Sequence, residues 1–199
     1  MPYIAGFIVA LALGGVVGYS LHPATPDSAK QQSSAVSNAA TTTAEWKIPN
    51  AMSAAPESIS SAATVLDWPA SEGAQPTELK KGTNEWTCFP NSPETPSNDP
   101  ICVDKQSMQW FGAYLSKTQP KITQSGIAYM LQGGGTASNA DPFAKTPPAG
   151  EHWMVEPPHI MVFPAGQLDE KVYGVDHSKG SPWVMWAGTP YEHLMVPVE

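Results

Sequence analysis

Hydrophobic residues dominate the start of the chain. From Met1 to Leu21 no side chain is charged and most are apolar. As a helix, Tyr3 to Leu21 would be about 28 Å long at ~1.5 Å per residue, close to the hydrocarbon thickness of a bilayer. Tyr3 and Tyr19 mark its two ends, where amphipathic rings favour the membrane interface. Gly6, Ala10, Gly14 and Gly18 recur every fourth residue and line one face with small side chains. Such a face lets a second helix approach closely in lipid. Residues 1–21 are therefore expected to be a single transmembrane anchor that packs against a partner helix. A cleaved signal peptide is the competing reading, since Gly18-Tyr19-Ser20 puts small residues where a signal peptidase cuts. Against it, no Lys or Arg precedes the apolar run.

The pattern then turns polar. Pro23 and Pro26 stop a helix, and Ser, Ala, Thr and Gln prevail through Thr43. Residues 22–55 read as a flexible tether. Glu45-Trp46-Lys47-Ile48-Pro49 is out of character there. Trp46 and Ile48 are candidates for docking on a partner, on the bilayer surface or back on the chain's own domain.

Short alternating segments begin near Pro56, and residues 56–199 read as one domain. Pro56 to Ala62 suits one or two helical turns. Strands are expected at 64–68, 77–81, 84–89, 122–131, 159–163 and 191–196, with Trp183-Val184-Met185-Trp186 between the last two. Asn91 to Pro100 is rich in Pro and Asn and reads as a loop. The best helix runs from Asp104, a suitable cap, to about Lys117. Met108, Phe111 and Leu115 share one face, with Trp110 and Tyr114 beside it. Gly133-Gly134-Gly135 is a turn; no Lys follows to complete a phosphate loop. Ser138 to Phe143 reads as an Asx-type turn. Many short strands with one good helix predict an α+β domain on a mostly antiparallel sheet.

Composition narrows the function classes. Net charge is -8 over 199 residues, and all ten basic residues are Lys. Without Arg, the planar fork used for phosphate and guanine is missing, so a nucleic-acid partner is not expected. Two cysteines, Cys88 and Cys102, flank the Pro-rich loop and are expected to form a disulfide. That fits an extracytoplasmic domain: a single-pass protein of the inner membrane with its C-terminal part in the periplasm.

Several segments carry a resemblance. Gly82-Thr83-Asn84 with Trp86-Thr87-Cys88, Asp99-Pro100-Ile101-Cys102, Ser138 to Phe143, Pro158-His159, and Pro182 to Tyr191 resemble a group of uncharacterised bacterial exported proteins. The resemblance spans residues 56–199 and implies export, with no activity attached.

Hydrolase, zinc-helix and haem-attachment patterns are absent from the sequence. One constellation stands out. His159 and Met161, like His193 and Met195, are two apart, so each pair shares a strand face. Were the strands neighbours in register, imidazoles and thioethers would converge on a site suited to copper. The plainer alternative is a pair of hydrogen-bonded core histidines beside gap-filling methionines. Seven tryptophans also raise the possibility of a carbohydrate-binding face. The leading expectation is non-catalytic and without a cofactor. It is an accessory subunit whose anchor and tether hold its domain on an integral membrane complex, photosynthetic or respiratory.

Overall fold

The computed structural model describes residues 45–71 and 73–198. The predicted span, with Gly6, Ala10, Gly14 and Gly18, lies outside them, as does the tether up to residue 44. Among the described residues no helix is long and apolar enough to cross a membrane.

The described chain is an α+β domain on an eight-stranded, mostly antiparallel sheet. Its strands are β1 (Thr64–Asp67), β2 (Thr77–Lys80), β3 (Thr87–Phe89), β4 (Ile101–Val103), β5 (Gly126–Met130), β8 (His159–Phe163), β9 (Trp183–Met185) and β10 (His193–Pro197). They run in the order β2-β1-β3-β4-β5-β8-β10-β9, and only β1 and β3 pair in parallel. A separate hairpin joins β6 (Gly134–Thr136) to β7 (Met154–Glu156). The Gly133–Gly135 run is thus partly strand, not only a turn. A glycine-rich segment carries no β-propensity signal, so alternation could not reveal it.

Side-chain alternation gives the sheet two covered faces. Phe89, Ile101, Val103, Ala128, Met161, Phe163, Trp183, Met185 and Met195 form the core under α3 (Lys105–Leu115). Trp110 and Phe111 enter that core from the helix, whereas Leu115 at its end is exposed. Asp104 starts α3 as predicted, its Oδ1 accepting from Ser107 N at 2.7 Å. Its Oδ2 accepts from Ile127 N at 2.9 Å, which fixes the helix to β5. Gly126 permits this approach: a Cβ there would lie 2.5 Å from Ser107 N. Ile127 therefore points outward and Ala128 inward, because α3 sits against the smaller side chain.

The opposite face corrects the domain boundary. Residues 45–52 are helical (α1), inside the stretch read as tether. Ala51, Ala54 and Ala55 are buried against Val65, Cys88 and Cys102, with Ile48 and Met52 packed beside them. A short α2 (Glu57–Ser60) follows, started by Pro56. Asn50 Oδ1 accepts from Asn91 N at 2.7 Å, and Ala54 O accepts from Leu131 N at 3.0 Å. The polar composition of residues 22–55 pointed to a flexible tether. Small side chains nevertheless suit a helix lying close on a disulfide.

Candidate functional site

Cys88 and Cys102 face each other across the antiparallel β3–β4 pair and are disulfide-bonded. Both are fully buried under α1. The bond is consistent with an exported protein.

The two His-x-Met segments are neighbours, as the copper reading required, but antiparallel. Met161 pairs directly with Met195, and His159 pairs with Pro197. His193 continues past Leu194 to Phe163, its ring 5.3 Å away. In backbone register the histidines thus stand at opposite ends of the pair, four strand positions apart, although the charge of His159 still helps to lower the His193 pKa. The predicted quartet of His159, Met161, His193 and Met195 does not converge, because reversing one strand brings only the middle residues together. Among the described residues no group of three His, Cys, Asp or Glu side chains could hold a metal ion.

Each imidazole instead has a local partner. His193 Nδ1 donates to Tyr191 O at 3.0 Å, and Trp110, Phe163 and Trp186 surround the ring. Burial pushes its pKa down to about 4. His159 Nδ1 donates to Pro157 O at 2.7 Å, and burial lowers its pKa too.

His159 belongs to a second group that the strand pattern did not single out. Its Nε2 lies 4.0 Å from Glu156 Oε2. Asp99, in the loop before β4, adds a second buried carboxyl. Asp99 Oδ1 accepts from Ser92 N at 2.8 Å and Oδ2 from Thr95 Oγ1 at 2.5 Å, which organises the Pro-rich loop. Glu156 Oε1 and His159 Nε2 have no hydrogen-bond partner. Burial, then the charge of Asp99, pushes the Glu156 carboxyl up to about 8. One signal was available in the sequence: Glu156 is an acid inside the otherwise apolar run Trp153 to Pro158.

No family model, curated protein or solved structure matches the chain.

The tryptophans are mostly structural. Trp110, Trp183 and Trp186 are buried; Trp110 and Trp186 stack within 4° of parallel. Tyr114 continues the stack toward Phe143, its hydroxyl donating to Pro142 O, and burial first of all raises its pKa to about 12. Among the described tryptophans only Trp46 is strongly exposed; Trp68, Trp86 and Trp153 are half-buried. Of the candidate docking pair, Ile48 packs inward on the domain and Trp46 faces out at 51% exposure. A cleft of about 420 Å³ lies beside Trp110, Pro120, Gln167 and Glu192. Both Glu192 oxygens are already taken, by Leu168 N and Gly188 N.

One surface feature is out of keeping with the rest. Asp169 caps α4 (Glu170–Tyr173), and Gly174 O just beyond it accepts from Val184 N at 2.9 Å on β9. The segment is thereby held on the sheet edge. It presents Val172, Tyr173 and Val175 outward, exposed by 69%, 40% and 44%.

Proposed function

We propose that this chain is a non-catalytic accessory subunit, anchored in the inner membrane by residues 1–21, whose periplasmic domain docks on an integral membrane complex. The observation that carries this reading is the outward apolar group Val172, Tyr173 and Val175, tied to a sheet edge by the Val184 N to Gly174 O hydrogen bond. A domain that encloses most of its aromatic rings yet leaves these side chains in solvent has a surface suited to a protein partner. The uncharged first 21 residues and the small-residue repeat Gly6, Ala10, Gly14, Gly18 support a membrane location and a helical neighbour. The disulfide and the resemblance to exported proteins support the periplasmic side.

The test is co-migration. Membranes holding the native chain, dissolved in mild detergent and separated by native electrophoresis, should show it with a large complex. Migration of the wild-type chain as a lone species would overturn the reading.

A further inference from the structure

Glu156 ends β7, and the chain passes through Pro157 and Pro158 into β8 at His159. The Gly133–Gly135 run exists to admit this corner. A Cβ on Gly134 would lie 3.0 Å from Glu156 Oε2 and 3.0 Å from Met130 Cε. Gly133 has φ +78°, and a Cβ there would lie 2.6 Å from Glu156 O. The hairpin is therefore shaped around the Glu156 carboxyl.

The hydrogen bonds define what that carboxyl meets. A carbonyl can only accept, so the proton of neutral His159 sits on Nδ1, facing Pro157 O. Its Nε2 lone pair is then left facing Glu156 Oε2 at 4.0 Å; Nε2 and the other carboxyl oxygen, Oε1, are the buried atoms without a partner. The titratable groups facing Glu156 are His159 from β8 and Asp99 from the loop before β4, while β5 and β6 contribute Met130 and Gly134; His159 in turn feels His193 on β10. Neither titratable neighbour is a fixed cation.

We propose that Glu156 and His159 share one proton that locks the β6–β7 hairpin to the main sheet, and that losing this proton as pH rises frees the hairpin. With the proton present, a small rotation lets the Glu156 hydroxyl donate to Nε2 and leaves neither Glu156 nor His159 charged. Without it, a carboxylate faces a lone pair on one side and Asp99 on the other. A buried charge so placed is costly, and opening the hairpin to water relieves it. The raised Glu156 pKa agrees with this geometry. Its value in place, about 8, exceeds the ordinary 4.5, so the lock is complete below pH 4.5. It weakens as pH rises through 8. Between these values the opening constant rises about tenfold per pH unit, as one proton is released.

Hydrogen exchange of the full chain, corrected for intrinsic rates, tests this. In the wild type, protection of amides in 133–136 and 153–157 should fall about tenfold per pH unit between pH 5.5 and 8. In Glu156→Gln, whose amide donates to Nε2 at every pH, protection should be flat. Equal slopes in both proteins, or a flat wild type, would overturn the lock. If Glu156→Gln does not fold, the wild-type His159 15N shifts decide. Nε2 should move as the hairpin loosens, and an unresponsive Nε2 across that range would refute proton sharing.

Discussion

Lys47 and Asp67 form an ion pair, Nζ to Oδ2 2.5 Å, that joins α1 to β1. Both side chains are about four-fifths buried, at 20% and 22% exposure. With Asn50 and Ala54 it makes residues 45–55 part of the domain instead of a leash. Ala51 is fully buried beneath this contact. Ala51→Leu should therefore overpack the α1 interface and cost about 1–3 kcal/mol in denaturant titration. It should also speed proteolysis near residue 50. A variant as stable as the wild type would mean that α1 is loosely held.

The disulfide closes a loop between residues 14 apart. In the chain-entropy account such a bridge stabilises by about 3 kcal/mol. Replacing both Cys88 and Cys102 by Ala should lower stability by that order. Unfolding without reductant should expose no labelled thiol in the wild type. Two reactive thiols would contradict the bridge.

His193 sets an acid limb of stability. Its folded pKa, about 4, lies below the ordinary 6.5, so the unfolded chain binds the proton first as pH falls. Stability is thus complete above pH 6.5 and is lost as pH drops toward 4. The loss is on the order of 3 kcal/mol at ~1.4 kcal/mol per pH unit. Glu156 acts with the opposite sign, its contribution being lost as pH rises from 4.5 to 8, so the two offset each other between pH 4.5 and 6.5 and stability falls on either side of that range. His193→Gln should remove the offset, so that in denaturant titrations from pH 4 to 7 stability falls as pH rises, where the wild type stays level between 4.5 and 6.5. An unchanged slope would assign that limb to other groups.

The two membrane contacts proposed here separate by mutation. Gly14→Leu makes the first segment more apolar, so insertion should persist, but it thickens the small-residue face. Val172→Glu with Val175→Glu alters only exposed side chains, and its effect on stability should stay within about 0.5 kcal/mol. Each variant should remain in the membrane fraction and dissociate from the complex in mild detergent. Full retention of the complex by the double variant would remove the apolar edge as its contact, while retention by Gly14→Leu would remove the helix face.

Local chemistry determined much of this protein. Asp104 capped α3 because a carboxylate before an apolar-periodic run has few better uses. The alternating runs at 64–67 and 159–163 became strands because period two matches a sheet with covered faces. The cysteines paired, as their positions on either side of a Pro-rich loop led us to expect. Relations between distant segments were decided elsewhere. Strand direction is invisible in a two-residue spacing, and it decided that Met161 and Met195 meet while His159 and His193 part. The burial of Glu156 depended on glycines more than 20 positions earlier making room for its carboxyl. The fate of residues 45–55 depended on a disulfide face that small alanines could cover. In each case the deciding quantity was which surfaces came together, and a chain read locally carries the tendency of each segment but not its neighbour.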